Sequence, residues 1–150
     1  MHTARRGFTL VEIMIVVAIL ALLSSIMIPV VLRAKVDAND AASVSFLKSL
    51  STALETYAAG NSARYPVVSD LNELAASDFA TSSPPYLNAL QLVSPQFGHE
   101  IIFAGSIGGY QIAANTLRDN ASGSKNYRMS TLGALETRSC EDSDFTVTAP

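Results

Sequence analysis

The sequence has few of the residues from which most catalytic and metal sites are built. It contains one cysteine, Cys140, which excludes an intrachain disulfide, and only two histidines, His2 and His99. No Cys-x-x-Cys pair, His-Glu-x-x-His pair or phosphate-binding glycine loop occurs in its 150 residues. This inventory supports no catalytic residue set, and we expect neither an enzyme nor a bound cofactor.

Charge is also sparse. Only 15% of the residues are charged, the formal net charge is -3, and no basic cluster occurs beyond Arg5 and Arg6. Nucleic-acid-binding domains concentrate Lys and Arg on one face, so we expect no nucleic-acid partner. Hydrophobic residues make up 49% of the chain, which has a one-domain length. This is more than the core of a domain of this size needs, and the excess hydrophobic residues lie in the first thirty positions.

Residues 8–31 form an apolar run in which Glu12 is the single charged residue. A helix of about 20 apolar residues spans a bilayer core, so the run is long enough to cross a membrane once. Arg5 and Arg6 precede it and favour a cytoplasmic amino terminus, although basic residues after the run weaken this preference. A secretory signal peptide and a plain signal anchor are the alternatives.

Glu12 argues against both alternatives. A carboxylate in a membrane helix costs a few kcal/mol on insertion scales, so a partner for it is expected. Cleavage after Gly7 would create an α-amino group at Phe8, about one helical turn away in the same chain. In staggered subunits, Glu12 could instead meet the amine of a neighbour. Such a pair would set the register of assembly more than it would add stability.

The stretch RRGFTLVE, which ends at Glu12, resembles the class III leader and cleavage site of type IV prepilins. The resemblance covers residues 5–30. It implies that a prepilin peptidase cuts between Gly7 and Phe8 and methylates the new amino group of Phe8. It also implies that Glu12 is the assembly glutamate, and that Pro29 occupies the usual place of a helix-disturbing proline.

Pro29 has no amide hydrogen to donate to the Ser25 carbonyl, and its ring crowds that carbonyl. The hydroxyls of Ser24 and Ser25 can also bond to preceding carbonyls and bend the helix. Two compatible hypotheses follow. Pro29 is a membrane-helix kink, or it marks a segment that bends or melts when subunits pack, as the resemblance implies.

The helical pattern continues beyond the run as far as residue 58. Apolar residues recur mostly at intervals of three and four, and Gly60-Asn61 is the first strong stop signal. We therefore predict one helix over about residues 8–58, with a membrane-spanning half at 8–31 and an amphipathic half at 32–58. Residues 1–7 are interpreted as the leader.

Residues 59–150 are predicted to form a globular head. Asp70 begins a capping-box pattern that favours a short helix through Ala76. Alternating β-forming residues predict a hairpin over 99–114 and a weaker one over 127–137. The predicted fold is α+β, with the long helix packed on a small antiparallel sheet.

Two features of the head depart from the family pattern. Many pilins close a carboxy-terminal loop with a disulfide, which the single Cys140 cannot do; we expect a partly buried thiol, with an intermolecular bridge as the alternative. Major pseudopilins of type II secretion usually carry a glycine-rich calcium loop. The acidic residues near the carboxy terminus lack such glycines, so a solvated acidic tail is preferred to calcium binding. These residues are Glu136, Glu141, Asp142 and Asp144.

The resemblance implies a structural subunit of a type IV pilus-like, helical homopolymer. The subunit would wait in the inner membrane with its amino terminus in the cytoplasm. It would then join an extracellular pilus or a periplasmic pseudopilus, with the help of a prepilin peptidase, an assembly ATPase and a platform protein. A major or minor pseudopilin of type II secretion is the first alternative. A membrane-anchored binding module that never polymerises is the alternative from another class.

Overall fold

The computed structural model describes residues 7–118 and 121–150. It has the predicted α+β arrangement of one long helix and a four-stranded antiparallel sheet. The helices are α1 (Leu10–Gly60), α2 (Leu71–Ala76) and α3 (Asp78–Thr81). The strands are β1 (His99–Ser106), β2 (Gly109–Thr116), β3 (Lys125–Ser130) and β4 (Ala134–Ser139). Residues 1–6 of the predicted leader lie outside the described residues.

The chain divides into two compact units, residues 1–34 and 35–150. In the first, every described side chain is exposed, and α1 is long and apolar enough to cross a membrane by length and composition. Helix α1 starts and ends within two residues of its predicted bounds and continues through Pro29. The hydroxyl of Ser25 donates to the Leu22 carbonyl at 2.8 Å, which is the back-bonding that the sequence predicted.

The second unit, called here the globular unit (residues 35–150), contains the buried core. The buried residues of α1 recur mostly at intervals of three and four, as a helix lying on a sheet requires. It is formed chiefly by Asp40, Ser43, Leu47, Leu50 and Leu54. Three of these are leucines without solvent exposure, and they share one cluster with inward-facing residues of the sheet, namely Phe103, Tyr110, Ile112, Tyr127 and Met129.

The sheet has the order β1-β2-β3-β4, and each strand pairs antiparallel with the next. Both predicted hairpins are confirmed, and their strands extend one or more residues beyond most of the predicted limits. The predicted short helix is confirmed as α2, because Asp70 caps it by accepting from the Glu73 amide at 2.8 Å. Helix α3 was not predicted, because its four residues are too few to show a helical period.

The four acidic residues near the carboxy terminus are exposed, as the prediction of a solvated acidic tail requires. The aromatic residue among them is not: Phe145 is only 3% exposed, and its backbone exchanges two hydrogen bonds with the Asn115 side chain on β2. The Arg128 and Arg138 guanidinium groups lie over the Phe145 ring, at 4.9 and 4.4 Å from its centroid. The acidic side chains of the tail thus face solvent, while one aromatic ring anchors the tail to the sheet.

Candidate functional site

The start of α1 carries a reciprocal set of hydrogen bonds between Thr9 and Glu12. The amide and hydroxyl of Thr9 each donate to the Glu12 carboxylate at 2.8 Å. The Glu12 amide donates back to the Thr9 hydroxyl oxygen at 3.2 Å. This is a capping box, in which the residue before the helix and the third helical residue satisfy each other's amides. The Thr-x-x-Glu spacing at 9–12 is the sequence signal that could have revealed it.

Gly7 and Phe8 precede α1 and lie outside any regular element. Phe8 is 84% exposed, and a Cβ placed on Gly7 would meet no atom within 4 Å. Proteolysis favours exposed backbone that is not tied into secondary structure. The bond between Gly7 and Phe8 therefore lies in exposed, irregular backbone, and the helix begins only two residues after it.

Pro29 lies inside α1, nineteen residues after Leu10. It supplies no amide to the Ser25 carbonyl, so the intrahelical hydrogen-bond ladder lacks one bond here. In this structure the predicted site residues therefore fall into two groups. Gly7, Phe8 and Glu12 lie within one short segment at the start of the helix, whereas Pro29 lies about five turns further along it.

A second polar cluster lies in the globular unit and was not predicted. The His99 Nδ1 atom lies 2.8 Å from the Ser43 hydroxyl, and His99 Nε2 lies 3.4 Å from the Asp40 carboxylate. The Ser124 amide also donates to both Asp40 oxygens at 3.1 Å. Although aspartate, histidine and serine form one network here, His99 and Ser43 are completely buried and no substrate can reach them. The cluster fastens α1 to the sheet.

A third cluster is centred on Glu55, which lies on α1. Its carboxylate accepts from the Tyr65 hydroxyl at 2.7 Å, the Tyr110 hydroxyl at 3.1 Å and the Leu132 amide at 3.2 Å. The hydrogen bond to Glu55 raises the pKa of Tyr65 to about 12. Burial, more than Glu55, raises the pKa of Tyr110. Glu55 thus joins a loop, strand β2 and the β3–β4 turn to one helix.

The described parts of the chain, 7–118 and 121–150, contain no group of three His, Cys, Asp or Glu residues placed to hold a metal ion. Two of the acidic residues considered for calcium have protein partners instead. Asp144 accepts from the Asn126 side chain at 3.1 Å, and Glu136 pairs with Arg128 at 2.6 Å. Cys140 is buried.

Comparison with known proteins agrees with the geometry of the helix start. Residues 2–28 match the family model described as the prokaryotic N-terminal methylation motif. The type II secretion system core protein G of Aeromonas hydrophila is 32% identical, over 69% of this chain and 83% of the relative. The type IV wide pilus major component PilA4 of Thermus thermophilus is 31% identical, over 69% of this chain and 76% of the relative. No solved structure matches the chain.

The long apolar-to-amphipathic helix, the small antiparallel sheet and these two relatives place the chain in one class. It belongs to the type IV pilin and pseudopilin superfamily, whose members are structural subunits. Both branches match it to a similar extent. A shorter match, to the core protein G of Pectobacterium carotovorum, is 44% identical over 41% of this chain and 39% of the relative.

Proposed function

We propose that the chain is the structural subunit of a type IV pilus-like filament. A prepilin peptidase cuts the bond between Gly7 and Phe8 and methylates the amino group of Phe8. The processed subunit then polymerises through α1. The observation that carries this proposal is the first part of α1, residues 10–34, whose side chains are all exposed and almost all uncharged, with one carboxylate a single turn from the cleavage site.

The exposed apolar surface needs a non-aqueous environment before and after assembly. Burial of apolar surface contributes about 25 cal/mol per Å², so residues 10–34 are unstable in water and stable in a bilayer or a bundle of copies. The subunit therefore waits in the inner membrane as a single-pass protein with a cytoplasmic amino terminus. In the filament, the same surfaces pack against the helices of other subunits.

Glu12 links these two states. In the single chain its carboxylate is held by Thr9. Carboxylates accept more than two hydrogen bonds, so the charge can also pair with the α-amine of Phe8 from a neighbouring copy. Loss of one partner from a buried ion pair costs about 3–5 kcal/mol, which makes the pair selective for a single register between subunits. An assembly ATPase and a platform protein drive the extraction.

A type II secretion pseudopilin is the second candidate, because the core protein G of Aeromonas hydrophila is as similar to this chain as the pilus component is. Deletion of the gene in its host distinguishes the pilus subunit from the pseudopilin. Loss of surface pili with normal protein secretion supports the extracellular pilus. Loss of secretion with normal pili supports the periplasmic pseudopilus and contradicts our first choice.

The proposal is tested with Glu12→Val in the host, and Ser24→Val serves as the matched control because it also adds an apolar side chain to the exposed run. We expect both variants to insert and to be processed, only Glu12→Val to lack filaments, and the intact mass of the wild-type subunit to correspond to a chain that begins at methylated Phe8. A subunit that still begins at Met1, or normal filaments from Glu12→Val, would contradict the proposal. A wild-type protein that is anchored but never polymerises would instead support a binding module.

A further inference from the structure

The turn between β3 and β4 presents an exposed leucine on an unfavourable backbone. Leu132 is 89% exposed, and its φ and ψ angles of 73° and 12° lie in the left-handed region. Gly133, which follows it, also has a positive φ of 74°. Glycine and asparagine adopt this region readily, whereas a leucine there crowds its own Cβ against the backbone. The single subunit gains no packing from this side chain.

The unfavourable conformation is held by the surrounding structure. The Leu132 amide donates to Glu55 on α1, and the preceding Thr131 hydroxyl accepts from the Tyr110 amide at 2.8 Å. The side chain therefore projects from a turn that is tied to a helix and to strand β2. Strained residues that their surroundings hold in place are a recurring feature of binding surfaces. A rigid, projecting apolar side chain suits insertion into a groove.

The globular unit also has a groove of about 700 Å³ between α1 and the loop over residues 82–87. Ala53, Pro85, Tyr86 and Leu87 supply much of its apolar lining, and serine and threonine hydroxyls supply the remainder. The described residues that line the groove include no Asp, Glu, Lys or Arg. Residues 130–134, which form the turn that carries Leu132, also contain no charged side chain.

The charge distribution favours a second copy of this chain as the occupant. After removal of residues 1–7, 8 Lys and Arg face 13 Asp and Glu, a formal charge of -5, so identical subunits repel each other. Contact between copies is then least costly where few charges meet. The groove lining and residues 130–134 are uncharged, and the Glu55 carboxylate that holds the turn is engaged by Tyr65, Tyr110 and the Leu132 amide. A basic partner would gain nothing from the uncharged groove.

The positions of the two surfaces also fit a filament. The α1 residues that line the groove, Ser49, Thr52, Ala53 and Thr56, lie about 60–160° around the helix from Glu55, which holds the turn. The turn and the groove therefore meet different faces of α1. A projection that fits a groove elsewhere on the same molecule makes a head-to-tail contact, which propagates into an open helical polymer rather than a closed dimer.

We propose that Leu132 of one subunit inserts into the groove between α1 and residues 82–87 of the next subunit. This contact rests on the proposed function, because it places a second point of attachment between the globular units of the filament. It adds to the pairing of Glu12 with the Phe8 amine and is independent of that pairing.

The first test is Leu132→Asn in the full chain, expressed in the host. Asparagine tolerates the left-handed backbone, so the melting temperature should stay equal or rise, while the yield of sheared filaments should fall at least about tenfold. Thr52→Arg, which places a long charged side chain in the groove, should have the same effect. Leu90→Asn is the matched control, because Leu90 is 84% exposed and lies outside both surfaces.

The second test is a pair of cysteines, Leu132→Cys and Thr56→Cys, with each single variant as a control for Cys140. Oxidation of assembled filaments should give a ladder of covalent multimers from the double variant alone. Normal filaments from Leu132→Asn, or a loss of filaments without a ladder, would overturn this contact. Absence of filaments from the wild type would overturn the proposed function as well. Filaments from both the wild type and Leu132→Asn would refute the contact alone.

Discussion

The Glu12 carboxylate accepts hydrogen bonds from both the amide and the hydroxyl of Thr9 at 2.8 Å, just before the first turn of α1. The residue proposed to direct assembly is thus also part of the helix cap. Its orientation is set within the single chain before any neighbour approaches. An oriented carboxylate loses less conformational entropy when it pairs, which favours recognition of the neighbouring amine.

Thr9 should be needed for this cap. Thr9→Val removes the hydroxyl while keeping the shape of the side chain, and it should destabilise the start of α1 by about 0.5–2 kcal/mol. Faster hydrogen exchange of the Glu12 amide, which donates to the Thr9 hydroxyl, would report this loss in detergent micelles. Thr9→Ser keeps the hydroxyl and should exchange like the wild type. Equal exchange in all three proteins would show that the capping box is not formed in the membrane mimic.

Gly123 should tolerate no side chain, because a Cβ there would lie 2.6 Å from the ring of the buried His99. Gly123→Ala therefore overpacks the cluster of Asp40, Ser43 and His99 and should cost about 1–3 kcal/mol. Gly108→Ala is the matched control, since a Cβ at Gly108 meets no atom within 4 Å. Thermal unfolding of the detergent-solubilised chain distinguishes them, and equal melting temperatures would contradict the packing around His99.

Alkaline pH should weaken the globular unit through Tyr65. Its pKa is raised from 10.0 to about 12 by the hydrogen bond to Glu55, so the folded state keeps a proton that the unfolded state releases. The stabilisation is complete below pH 10 and is lost as the pH rises to about 12. Tyr65→Phe should make the melting temperature fall less steeply over this interval. An unchanged slope would show that Tyr65 does not titrate in this way.

Glu55→Gln provides the complementary measurement. It keeps a hydrogen-bond acceptor but removes the negative charge, so Tyr65 should ionise at a lower pH than in the wild type. Ultraviolet absorbance of tyrosinate follows this ionisation directly. Glu73→Gln is the control, because Glu73 is an exposed carboxylate in α2 that accepts hydrogen bonds from the amide and hydroxyl of Ser69 and, among the described residues, none from a tyrosine.

Phe145 should hold the carboxy-terminal tail on the sheet. Phe145→Ala removes the ring that both Arg128 and Arg138 contact and should destabilise the globular unit by about 3–5 kcal/mol. Limited proteolysis should then release the tail. Thr146→Ala changes an exposed neighbour and should leave the tail resistant. Equal resistance of both variants would indicate that the bonds to Asn115 suffice.

The features that could be predicted from the sequence are formed by residues that lie close together in the chain. Helix α1 was predicted because its apolar period and its stop signal lie within the segment itself. The cap of α2 was predicted because Asp70 and Glu73 are three residues apart. The resemblance of the segment around Gly7, Phe8 and Glu12 to a prepilin cleavage site could be seen because eight consecutive residues carry it. The capping box is equally local, because Thr9 and Glu12 are three residues apart.

The remaining features depend on residues that are far apart in the chain. His99 meets Ser43 across 56 positions, Leu132 meets Glu55 across 77, and Ser124 meets Asp40 across 84. Which acceptor meets a buried donor depends on the tertiary fold. A polar residue of α1 therefore has the same spacing in the sequence whether its side chain contacts water or the sheet. The sequence by itself thus determined the helix and the segment at which processing is predicted, whereas the tertiary structure decided which polar side chains hold the sheet to the helix.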